Sequence, residues 1–298
     1  MVVQHRRRTV VVGVDGSESA LRAVRWAAAE ATRRRVPLRV VTAFEWTQDH
    51  AVGQLGLGTS YRDIMLNQAR RHIVEAAAVA ERAAVGLDVQ QQLIVGLPIP
   101  VLAAESKRAQ LVVIGDRGLG GVTGLLLGSV ATGLAAHADS PLVVVRGDDE
   151  DPDPTAPIVV GVDGSPLSEA ALGYAYETAA ARGVPLVAVH TWRELHVDAT
   201  IAPLLDWDAI ESDERDVLAE QLAGWTEKYP DVRVQCTVVR DRPAHAIVEL
   251  SRRAQLVVVG SRGRGGITGM LLGSVSHAVL HRAHCPVAVI RPDTGRVD

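Results

Sequence analysis

Short runs of β-branched residues alternate along the chain with longer amphipathic stretches. Residues 9–14 form the first such run, stopped by Asp15 and Gly16, and read as a buried strand. Ser17 stands where a helix cap belongs, ahead of a helix over residues 18–35 whose Leu21, Val24, Ala28 and Ala31 share one face. Residues 38–44 predict a second strand. A loop carrying Gly53, Gly56 and Gly58, either a lid or a linker, leads into a helix over roughly residues 61–85. Residues 89–95 predict a third strand and a helix follows after Pro100. A fourth strand at 111–114, a helix at 129–137 and a fifth strand at 142–145 complete the series.

The series then repeats. The segment VVGVDGS at 11–17 returns at 159–165, AQLVVIG at 109–115 returns as AQLVVVG at 254–260, and LLGSV at 126–130 returns at 271–275. Order and spacing are kept, so a whole domain is duplicated rather than a short solenoid repeat. The expected boundaries are a first domain at 1–147, an acidic, proline-rich linker at 148–157 and a second domain at 158–298. Strands of the second copy are expected at 158–162, 186–191, 232–239, 256–259 and 287–290. Short apolar strands alternating with helices predict an α/β fold: two tandem, doubly wound, Rossmann-like open sheets of five mostly parallel strands, with helices on both faces. Ligands of such sheets bind beyond the carboxyl ends of the strands, at the switch point between strands one and four.

A glycine-rich loop follows strand four in both copies, GDRGLGGVTGLLLGS at 115–129 and GSRGRGGITGMLLGS at 260–274. Glycine admits positive φ and close approach of backbone to ligand, and inward-turned amides make an anion nest. Gly128-Ser129 and Gly273-Ser274 then open a helix whose first amides are free, which is a phosphate site. The serine hydroxyl can cap that helix or donate to a phosphate oxygen. Other nucleotide loops do not fit. The P-loop needs a lysine after glycine, and neither Lys107 nor Lys228 follows one. The dinucleotide fingerprint belongs after strand one, not strand four. Asp15 and Asp163 end strand one in each copy; on their residues alone they are equally turn formers before a glycine.

The spacing G-x2-G-x9-G-[ST], with an aspartate ending strand one, resembles the ATP-binding branch of the universal stress protein family. The likeness covers nearly the whole chain as two tandem domains, and both copies satisfy every glycine of the motif. It implies an adenine-nucleotide α-hydrolase-like fold and an ATP cofactor, with or without magnesium. It also implies Asp15 and Asp163 at the nucleoside end, and backbone groups of Ala43 and Thr191 receiving adenine. Gly115, Gly118, Gly260 and Gly263 would pass beneath the ribose and α-phosphate. Gly128, Ser129, Val130 and Ala131, with Gly273, Ser274, Val275 and Ser276, would hold the outer phosphates. Gly13, Val14, Ile114 and Arg117, and in the second copy Gly161, Val162, Val259 and Arg262, complete the expected sites. Asp116 replaces Ser261, placing a carboxylate near the phosphates unless Arg117 or magnesium offsets it, and Ala131 replaces Ser276. The second site is therefore expected to be the stronger.

Composition narrows the class further. A net charge of −4 and an aromatic content of 3% give no footing for nucleic acid or an anionic membrane, and the basic run Arg6 to Arg8 reads as a solvated arm. No stretch approaches the ~20 apolar residues of a membrane span. Gly13 and Asp15 interrupt the apolar run, so no signal peptide is expected; two cysteines, Cys236 and Cys285, fit a cytoplasmic setting without a disulfide. His277, His281 and His284 precede Cys285, but the first copy has no counterpart, so an exposed helix end competes with a metal site and no metal is expected. Trp46 and Trp192 follow strand two and either gate the pocket or simply pack.

Three function classes remain: an ATP-binding stress-response module, a slow ATPase or nucleotide-dependent transferase, and a structural dimerisation module. No nucleophile–base pair recurs in both copies, since His190 answers to Thr42, so binding ranks first and no catalytic residue is assigned. The apolar fifth strands are expected to pair the two domains, with a homodimer beyond that.

Overall fold

The computed structural model describes residues 9–45, 58–119, 127–147, 153–192, 206–264 and 272–291. Trp46, the Gly53–Gly56 loop, the arm at 6–8, the linker at 148–152 and the middle of both glycine loops lie outside the described residues. The chain forms two compact units, the first reaching Arg146 and the second starting at Gly147.

The first unit runs β1 (Thr9–Gly13), α1 (Glu18–Arg34), β2 (Leu38–Phe44), α2 (Gly58–Ala83), β3 (Val89–Val95), α3 (Pro98–Ser106), β4 (Ala109–Gly115), α4 (Ser129–His137) and β5 (Leu142–Val145). The second runs β6 (Ile158–Val162), α5 (Pro166–Arg182), β7 (Leu186–Trp192), α6 (Trp207–Lys228), β8 (Val234–Arg240), α7 (Pro243–Leu250), β9 (Leu256–Gly260), α8 (Ser274–Arg282) and β10 (Val287–Ile290). Strand order in the first unit is β3-β2-β1-β4-β5, and every pair is parallel. The second unit repeats it as β8-β7-β6-β9-β10. Each chain segment steps outward to its third strand and then returns to the far side of its first strand. The crevice at that reversal is where the glycine loops begin.

Val10, Val11 and Val12 are buried on both faces of the sheet, which is why β1 reads as an unbroken apolar run rather than an alternation. At the edge, β3 instead exposes Gln90, Gln91 and Gln92, a polar border that discourages pairing with another chain. Ser17 caps α1, its hydroxyl accepting from the Ala20 amide at 3.2 Å. The buried face of α1 is Ala20, Ala23, Val24, Ala27, Ala28 and Ala31, so Leu21 sits at its flank rather than at its centre. Small residues there let the helix lie close on the sheet. α1 and α2 pack together, as do α3 and α4.

Several boundaries differ from the sequence reading. α3 starts at Pro98, not after Pro100, because a first-turn proline has no intrahelical acceptor to lose. α1 stops one residue early, where Arg35 takes a left-handed conformation (φ 54°) and returns its amide to the helix. β8 starts at Val234; Val232 donates instead to the Tyr229 carbonyl in the preceding turn. Cys236, on the edge strand β8, and Cys285, just before the opposite edge β10, are both free.

Candidate functional site

A cavity of about 430 Å³ opens at the carboxyl ends of β1 and β4 in the first unit. Every residue expected of the first site lines it, from Gly13, Val14 and Asp15 through Ala43, Ile114, Gly115, Arg117 and Gly118 to Gly128, Ser129, Val130 and Ala131. Its wall also includes Val41, Pro98, Leu102 and Leu127, which make one side apolar, together with Ala20 and Asp116. Gly13 matters to that wall: a Cβ there would stand 2.7 Å from Leu102 Cδ1, so any other residue would push the Leu102 side chain aside.

The aspartates tie the loops down. The Asp15 carboxylate accepts from the Ser17 amide at 3.0 Å and from the Leu119 amide at 2.8 Å. Asp163 does the same with the Ser165 amide and the Arg264 amide, both at 3.0 Å, and also takes the Ser165 hydroxyl at 2.7 Å. Each aspartate is thus a turn former and a clasp holding the glycine loop over strand one. The second glycine of the motif is dictated by that clasp. A Cβ on Gly118 would lie 2.4 Å from Asp15 Oδ2, and one on Gly263 would lie 2.2 Å from Asp163 Oδ2.

Both loops then close onto a helix. Gly128 and Gly273 donate to the Asp116 and Ser261 carbonyls, each at 2.8 Å, and take the cap positions of α4 and α8. Neither helix has a side-chain cap. The capping role considered for Ser129 and Ser274 therefore falls to glycine, and the serines sit in the first turn, where helix amides face outward with partial positive charge. The Ser276 hydroxyl, 3% exposed, donates to the Gly260 and Ser261 carbonyls at 2.8 and 3.1 Å and so braces the loop. Ala131 lacks that brace.

Asp116 is also held. It accepts from the Ser19 hydroxyl at 2.6 Å and lies 3.8 Å from the Arg22 guanidinium and 3.7 Å from that of Arg117. Arg117 is thus near enough to offset part of that charge, as is Arg22, though neither is within hydrogen-bond distance.

Comparison with known proteins places this geometry. The model of the universal stress protein family matches residues 6–146 and again residues 155–291. The chain belongs to the universal stress protein family. A universal stress protein of Mycobacterium tuberculosis is 44% identical to it over 292 residues, covering 96% of this chain and 98% of that one. Another, from Mycolicibacterium smegmatis, is 41% identical over 294 residues, covering 95% and 97%. The crystal structure of a universal stress protein from Archaeoglobus fulgidus superposes with a TM-score of 0.71 at 21% identity, covering 96% of this chain and 97% of that one, a likeness of fold.

In the second unit of this universal stress protein, further side chains find partners that the sequence does not show. His190, 7% exposed, bridges the Val162 carbonyl (2.9 Å) and Glu214 of α6 (3.0 Å), tying the end of β6 to that helix. Trp192 packs rather than gates: it stacks on Trp207, and Arg240 lies 4.2 Å above the Trp207 ring. Thr191, between His190 and Trp192, is on the other side of β7, half-buried. At the start of α7, His245 pairs with Asp241 at 2.6 Å on the surface. That hydrogen bond holds the His245 imidazole above the ordinary histidine value and the Asp241 carboxyl below the usual carboxylate range. His277 and His281 lie against each other on α8 with their rings tilted by 35°, and among the described residues no three His, Cys, Asp or Glu side chains gather to hold a metal ion. Among those residues no helix is long and apolar enough to cross a membrane.

Proposed function

We propose that each unit binds one adenine nucleotide, ATP, and that occupancy rather than turnover is the signal this regulatory protein sends. The observation that carries the reading is the crevice itself. An apolar wall suited to a base faces a glycine loop that runs into a helix N-terminus lacking a side-chain cap. The wall of Val41, Ala43, Pro98 and Leu102 would take the adenine ring, with backbone groups of Ala43, and of Thr191 in the second unit, meeting its polar edge. Gly115 and Gly118, and Gly260 and Gly263, would underlie the ribose and α-phosphate. The first turns of α4 and α8 would hold the outer phosphates, with Arg117 and Arg262 supplying charge and magnesium accompanying the nucleotide from solution.

Binding is favoured over catalysis because the candidate bases do not repeat. His190 corresponds to Thr42, and His245 to Pro100. His190 is also already engaged by Val162 and Glu214. A cytoplasmic setting and a homodimer belong to the same proposal.

Equilibrium dialysis against labelled ATP tests it. The expected result is saturation at one nucleotide per unit, with the label recovered as ATP after hours at 25 °C. Steady accumulation of ADP would put the enzyme reading first, and no retention of label would end the nucleotide reading.

A further inference from the structure

The two loops agree in their glycines and differ in the charge beneath them. In the first unit Asp116 is 6% exposed and lines the crevice. Its carboxylate is held by Ser19, Arg22 and Arg117. The second unit has none of this apparatus: Ser261 stands at the place of Asp116, Leu167 at that of Ser19 and Ala170 at that of Arg22. Residues from two segments 97 positions apart thus differ together between the copies, as members of one device would. A fourth difference points the same way. Leu119, exposed in the first loop, corresponds to Arg264, whose guanidinium lies against the face of Gly164 in the second. Arg117 is drawn toward Asp116, whereas Arg262 pairs with no carboxylate among the described residues.

Resting on the nucleotide reading above, we infer that the two crevices select different phosphate charge, with Asp116 as the residue that sets the difference. The second crevice favours the triphosphate over the monophosphate. The first has that preference weakened or reversed, because every added phosphate approaches a buried carboxylate that also draws on the neighbouring arginine. Like charges brought together at a desolvated site cost several kcal/mol, enough to shift a preference by at least about tenfold. Ser19 and Arg22 hold the carboxylate in place when the crevice is empty.

The test is calorimetric titration of AMP and ATP into the full chain, with the opposite crevice weakened by Gly263→Ala or Gly118→Ala. The ratio of ATP to AMP affinity is expected to be at least about tenfold lower in the first crevice than in the second. Asp116→Asn keeps an acceptor for Ser19 and removes the charge; it should raise the first ratio toward the second. Ser261→Asp reads the same device in the opposite direction and should lower the second ratio, which keeps the test alive should Asp116→Asn unfold. Equal ratios in the two crevices, or ratios that neither substitution moves, overturn the inference while AMP binding leaves the nucleotide reading intact. Absence of binding by either nucleotide at either crevice overturns both.

Discussion

Replacing Gly263 by alanine is expected to lower the affinity of the second unit for ATP by about tenfold to hundredfold while leaving the protein folded. The new Cβ would stand 2.2 Å from Asp163 Oδ2, inside any permitted carbon–oxygen contact. Either the carboxylate swings away and gives up the Arg264 amide at 3.0 Å, or the loop lifts from the strand end. Both shifts displace the backbone amides that would face the nucleotide. Overpacking of this kind costs about 1–3 kcal/mol, which sets the expected range. The loop lies at the mouth of the sheet, so the melting temperature should move by only a few degrees. Gly118→Ala should do the same in the first unit, where the clash is with Asp15 at 2.4 Å. Calorimetric titration of each variant checks both. Unchanged ATP affinity in both would show that the clasp has nothing to do with the ligand.

The largest expected effect on stability belongs to Tyr176. Its side chain is fully buried in α5, with ring centroids 6.1 Å from Trp225 and 5.9 Å from Tyr229. Its hydroxyl meets Thr226 at 2.9 Å, and burial raises its ionisation above the ordinary tyrosine value. Tyr176→Ala removes a large aromatic from a packed site and should cost about 3–5 kcal/mol. Tyr176→Phe removes only the hydrogen bond and should cost about 1 kcal/mol. Urea unfolding followed by circular dichroism measures both. A Tyr176→Ala variant as stable as the parent would mean that the aromatic cluster contributes nothing to the second unit. The first unit has Ala28 at this position, so its helix α1 reaches the sheet without such a cluster.

The fold was legible because parallel strands covered on both faces must be continuously apolar, and because the duplicated chain shows each strand twice. Runs such as Val10 to Val12 and Leu256 to Val259 leave little choice. Boundaries were less legible where local chemistry allowed two answers, as at Pro98 and Pro100, both acceptable in a first helical turn. In the crevice, the glycines and aspartates could be read since their spacing is local and repeated. Leu102 and Pro98 could not, because only the crossover that lays α3 against β1 brings them to the crevice. The same holds for Ser19 and Arg22 beneath Asp116, and for Glu214 on His190: each partnership joins segments that only the fold makes neighbours. For Ser276 the sequence showed a hydroxyl in the right segment but not the two carbonyls of its own loop to which it is bonded.

The central claim, an adenine nucleotide in each crevice, is tested most directly by what the protein already holds. Purified protein should be denatured with acid and the released small molecules separated, identified and counted, alongside an Asp163→Ala/Gly263→Ala variant. Adenine nucleotide should be released in proportion to protein, with the second unit's share lost in the variant. A parent protein that releases no nucleotide, and takes up none when ATP is added back, would contradict the claim.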